Sequence, residues 1–105
     1  VMACPPDGPV AEMATLLQEG VQDLDRAIAG LQEHDETDAT AAADAAMKTE
    51  RRVEHVYRRA MAELIESSDL RDVMARRELY RRFSRVSDDV VAVAERVWYA
   101  TVKEA

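Results

Sequence analysis

The chain has 105 residues, 48% of them hydrophobic but with only one Trp, one Phe and three Tyr, and it carries a formal net charge of −7. This length supports one domain, and apolar content carried by Ala, Val, Leu and Met favours packed helices over a sheet. The acidic balance argues against a domain that binds nucleic acid over its whole surface, no apolar run approaches the roughly 18–20 residues of a membrane span, and the lone Cys4 excludes an internal disulfide, so a reducing cytoplasm is the expected compartment.

Residues 1–9 contain all three prolines, Pro5, Pro6 and Pro9, with Asp7 and Gly8 between them, and are expected to form a poorly ordered leader to a helical domain spanning 10–105. The first residue is Val rather than an initiator Met, so a trimmed or partial chain is expected. From Val10 the apolar residues Val10, Met13, Leu17, Val21, Leu24, Ile28 and Leu31 step by three or four, which predicts a helix from about Pro9 to Gln32. Gly20 within it marks a close approach to a neighbouring helix.

The polar run His34-Asp35-Glu36-Thr37-Asp38 is a break, with Thr37 or Asp38 able to cap a second helix from about Asp38 to Glu66. That helix opens on an Ala-rich third and continues through Met47 to Ile65, where two seams compete. One, Met47, Glu50, Glu54, Tyr57, Met61 and Leu64, places two carboxylates on an otherwise apolar stripe, one turn apart. The other, Val53, Val56, Ala60 and Leu64, is wholly apolar and leaves Glu50 at a solvated rim. Ser67-Ser68-Asp69 is a second break made of capping residues. After it Val73, Tyr80, Phe83, Val90, Ala94 and Val97 mark the stripe of a long third helix. Three long helices with two short breaks predict an all-α, antiparallel three-helix bundle.

The charge is unevenly spread. Residues 1–44 hold ten acids against Arg26 alone, a balance of −9, and residues 45–105 hold thirteen Lys or Arg against eleven acids, a balance of +2. Six arginines between Arg71 and Arg85 form either a solvated face that pairs with the acidic first helix or a phosphate-binding face for nucleic acid; the first is favoured because Tyr80 and Phe83 fall on the buried stripe. In an antiparallel hairpin Glu50 and Glu54 meet Asp88, on the ridge of Tyr80, Ser84, Asp88 and Val91. Facing carboxylates of this kind are candidate ligands for a hard cation. Glu54-His55 does not have the Glu-x-x-His spacing of a di-iron oxidase, and His55 is expected in water. No nucleophile–base arrangement is present, so no catalytic residue is assigned and no enzyme is expected.

Glu50-Arg-Arg-Val-Glu54-His-Val-Tyr57-Arg58, followed by Glu78-Leu79-Tyr80, Phe83, Asp88-Asp89-Val90 and Ala92-Val93-Ala94-Glu95, resembles the second and closing helices of PhoU-like phosphate-transport regulators of the kind that accompany Pit-type permeases. The resemblance covers roughly Val10 to the end. It implies a three-helix repeat, two of which normally make one protein, with carboxylate-lined multinuclear metal sites and a place at the cytoplasmic face of a phosphate transporter. Residue by residue, Glu50 falls on the first acid of the helix-two motif, Glu54 on its Asp and Asp88 on the Asp of the helix-three motif. Ser84 and Val91 stand where the family has further acids, so the resemblance implies at most a weak site for iron or a divalent metal at Glu50, Glu54 and Asp88. The expectation is a non-enzymatic regulator of phosphate uptake that docks to a permease or regulatory protein, as a homodimer or against a second repeat; the alternative is a nucleic-acid-associated helical protein using Arg71 to Arg85.

Overall fold

The computed structural model describes residues 8–104, without the side chain of Glu104. It is all-helical: α1 spans Gly8–Gln32, α2 Glu36–Met47, α3 Thr49–Leu64 and α4 Leu70–Glu104, and no strand occurs among the described residues. The molecule measures 55 × 24 × 16 Å, a rod set by α4, whose 35 residues run about 52 Å at 1.5 Å per residue. No described helix is long and apolar enough to cross a membrane. Residues 1–7, with Cys4 and most of the expected leader, lie outside the described residues, whereas Gly8 and Pro9 belong to the first turn of α1, where Pro lacks no hydrogen bond the helix would have made.

The α1–α2 connection is built differently from the sequence expectation. His34 adopts φ +57°, its amide donates to Leu31 O at 3.2 Å, and the Asp35 amide donates to Gly30 O at 2.8 Å. This is the paired 5→2 and 6→1 bonding of a Schellman terminus, with His in the left-handed position usually taken by Gly. Asp35, rather than Thr37 or Asp38, then caps α2 by accepting from the Asp38 amide at 3.1 Å. At the other connection Asp69 caps α4 by accepting from the Asp72 amide at 3.2 Å.

The expected second helix is interrupted once. Lys48 keeps right-handed dihedrals, φ −74° and ψ −14°, but its amide turns back to Ala45 O at 3.2 Å while its own carbonyl accepts from Arg52 at 3.3 Å. One tightened turn therefore joins α2 to α3, and both run along α1 as successive parts of one rod. Contacts with α1 advance on one partner as they retreat on the other. Gly30 meets Ala39, Gly20 meets Thr49, Glu19 pairs with Arg52 at 3.0 Å and Glu12 with Arg59 at 2.7 Å. Thr40 donates to Thr101 at 3.0 Å between α2 and α4.

Gly20 is the close approach the sequence predicts, since a Cβ there would come within 2.5 Å of Thr49 Oγ1 and 2.8 Å of its Cγ2. Two kinds of core result. Val10, Met13, Leu17, Val53, Val56, Ala60, Leu64 and Tyr80 bury large side chains between α1, α3 and the start of α4. Towards the other end Ala27, Ala42 and Ala43 pack with Val97, and Ala46 with Val90 and Ala94. Ser87 and Thr101 are buried on α4 with them; each hydroxyl donates to the carbonyl three residues earlier, Ser84 O and Trp98 O, at 2.7 Å.

Candidate functional site

On α3 the apolar seam wins. Thr49, Val53, Val56, Ala60 and Leu64 are buried, Glu50 is exposed, and Glu54, Tyr57 and Met61 are half-buried at the margin facing α4. Between the two candidate stripes the burial of Val53 and Val56 decides, because turning Glu50 and Glu54 inward would expose two valines and dehydrate two charges.

Glu50 nevertheless faces Asp88 across the α3–α4 groove. The packing strips water from one side of the Glu50 carboxyl; the charge of Asp88, a hydrogen bond shared with it, and the charges of Glu54 and Glu95 add to that burial, and together they hold the group above the usual carboxylate range. Glu54 is occupied by its own helix, accepting from Arg58 Nε at 3.1 Å. Ser84 is half-buried and Val91 buried, so neither extends the acidic set. Among the described residues no three His, Cys, Asp or Glu side chains converge into a group able to hold a metal ion. The donors thus reduce to the Glu50–Asp88 pair with Glu54 beside it, which does not fit a multinuclear centre. His55 is exposed, as expected, and His34 is a turn residue.

Among the described residues no ion pair joins an arginine of α4 to an acid of α1. The pairs to the acidic first helix come from α3, through Arg52 and Arg59, whereas Arg76 binds Asp72 and Arg82 binds Glu78 within α4, at 2.9 and 3.2 Å. Arg71, Arg77, Arg81 and Arg85 are exposed and form no ion pair among the described residues.

The groove between α2–α3 and α4 holds features that sequence reasoning did not single out. A shallow cleft of about 620 Å³ is lined by Glu36, Thr40 and Asp44 of α2 and by Trp98, Thr101 and Val102 of α4. A second, of about 420 Å³, shares Asp44 and Trp98 with the first and is lined further by Met47, Glu95 and Tyr99. A third, of about 330 Å³, lies among Met47, Glu50, Arg51 and Glu54. The signal available in the sequence was the only Trp, set among Glu95, Tyr99 and Val102 at the edge of the apolar stripe.

Comparison with protein families, curated proteins and solved structures finds no match.

Proposed function

We propose that the chain is a PhoU-like accessory protein: an antiparallel three-helix unit, non-enzymatic, that regulates phosphate uptake by docking to a permease or regulatory protein at the cytoplasmic face of the membrane. The observation that carries this is the meeting of Glu50 and Asp88, the two positions on which the family resemblance places acids of its helix-two and helix-three motifs. An unpartnered apolar flank supports the association that a repeat lacking its sister requires. Glu12 and Glu19 of α1 reach α3, and Val21 and Ile28 stand exposed on the opposite side of that helix. Asp88 faces α3, and Val86 and Val93 stand exposed on the opposite side of α4. The four side chains flank the α1–α4 contact as a stripe suited to a second copy or a second repeat.

Any metal in this reading is a single hard cation held loosely by Glu50 and Asp88, with Glu54 at the edge and water completing its shell. Its signature is a rise in melting temperature with millimolar Mn, Mg or Fe, lost in Glu50→Ala and Asp88→Ala and kept in Glu63→Ala. The functional test is co-purification with a Pit-type permease together with phosphate uptake measured with and without the chain. Association and altered uptake are expected; neither occurring would sink the proposal. Sedimentation should show a dimer that Val21→Asp with Val86→Asp dissociates. The second reading, nucleic-acid binding, draws on the exposed Arg71, Arg77, Arg81 and Arg85 and requires an affinity that falls steeply with salt.

A further inference from the structure

The three clefts follow one another along α2 and α3, the first two walled by α4 and the third lined by α2 and α3 alone. Asp44 and Trp98 line both the first and the second, and Met47 lines both the second and the third. From Glu36 to Glu54 this track follows about 27 Å of helix. Glu36, Asp44, Glu95, Glu50, Asp88 and Glu54 border it in that order. The cations on it are fewer. Lys48 lies 3.4 Å from Asp44, Arg58 pairs with Glu54, and Arg51 lines the third cleft. The apolar wall is Trp98, half-buried against the alanines of α2, Tyr99 packed edge-on to it with ring centroids 5.4 Å apart, Met47 and Val102.

We infer that this groove binds a Lys- or Arg-rich segment of a partner protein, with aliphatic stems lying on Trp98, Tyr99 and Met47 and charged heads on Asp44, Glu95 and the Glu50–Asp88 pair. The chemistry follows from the two kinds of wall. A side chain with a long apolar stem and a cationic tip covers an aromatic face and reaches a carboxylate at once, and a guanidinium gains further from stacking on Trp or Tyr. A bare metal ion uses only the carboxylates and leaves the aromatic wall idle. The succession of clefts selects an extended segment over a small cation, which would fill one of them. Burial is the main cause that holds Glu50 above its ordinary range, and cations brought to the track offset the lesser part that comes from the charges of Asp88, Glu54 and Glu95. The inference does not depend on the phosphate-uptake reading, since the groove takes such a segment whatever process the partner serves.

The test uses the full chain and its single Trp98 as the reporter. Titration with a short oligoarginine peptide at low salt should change the Trp98 emission, with an affinity that declines as salt is raised. Asp44→Asn with Glu95→Gln should weaken binding about fivefold, the loss of two exposed charge pairs. Asp25→Asn with Glu63→Gln, which removes the same charge from exposed positions off the track, should leave it unchanged; circular dichroism checks that both variants stay helical. Equal weakening in the two variants would reduce the interaction to diffuse attraction and overturn the assignment. So would a silent Trp98, or spermidine binding as tightly as the peptide.

Discussion

The two ends of this rod are held together in opposite ways. Around Met13, Leu17, Val53, Val56, Leu64 and Tyr80 the helices are spaced by large side chains that interdigitate, and stability there comes from apolar area removed from water and from dispersion contacts. Around Ala27, Ala39, Ala42, Ala43, Ala46 and Ala94 the contacts are mostly methyl groups, with Val90 and Val97 the larger buried side chains among them, and Gly30 lets α1 approach so closely that a Cβ would lie 2.9 Å from Ala39 N. The first end is sensitive to what is removed from it. The second is sensitive to what is added, because backbone cannot move aside as a side chain can.

Substitutions that exchange the two regimes should separate them. Met13 is fully buried, and Met13→Ala is expected to cost about 3 kcal/mol, read as a lower denaturant midpoint with an unchanged slope. Ala42→Leu, the reverse change at the other end, should cost about 2 kcal/mol by overpacking even though Leu is a good helix former. If thermal melts show it neutral, the alanine end is looser than its burial indicates. At the turn that closes this end, His34→Gly should add about 1 kcal/mol by placing the permissive residue at the left-handed position. Smallest is Glu50→Gln, expected to raise stability by a few tenths of a kcal/mol at neutral pH, by removing a charge that burial disfavours and that Asp88 repels, the second part weakening in high salt. The sign extends to pH. Folding raises the Glu50 pKa, so the folded state takes up its proton before the unfolded state does. This group's contribution therefore grows more favourable as pH falls from the raised pKa to the ordinary carboxylate value, and above the raised pKa its penalty is constant. Glu50→Gln should flatten that part of the pH profile.

The large-residue end was the more legible in the sequence. Its seams repeat at three and four, so α1 falls within about a residue of its expected limits, and on α3 the wholly apolar seam with Glu50 at a solvated rim, the favoured reading because helical acids are usually solvated, is the one whose Val53 and Val56 are buried. The approach of Glu50 to Asp88 was also visible, since the two positions lie equally far along the chain from Asp69 in the second break. The break at Lys48 was not, because a single tightened turn needs neither Gly nor Pro and leaves no compositional mark. The cap at Asp35 was misplaced because His34 occupies a left-handed position that sequence reasoning reserves for Gly. The source of the pairs to α1 was hidden as well. Arg density drew attention to α4, but proximity, which local spacing does not record, gave them to Arg52 and Arg59 of α3.

Lys48 stands where the alanine end gives way to the valine end. It interrupts only the middle rod, while α1 and α4 pass the same level unbroken. Mechanically, the molecule is two continuous struts and one jointed strut, and bending will gather at the joint rather than spread along the bundle. Met47 and Glu50, which border the acidic groove, lie on either side of it. Trp98 and Asp88 both stand on the unbroken α4, so flexion at Lys48 would carry Glu50 towards or away from a wall of fixed spacing, and it would have to move Ala46 and Thr49, which are buried on either side of the joint.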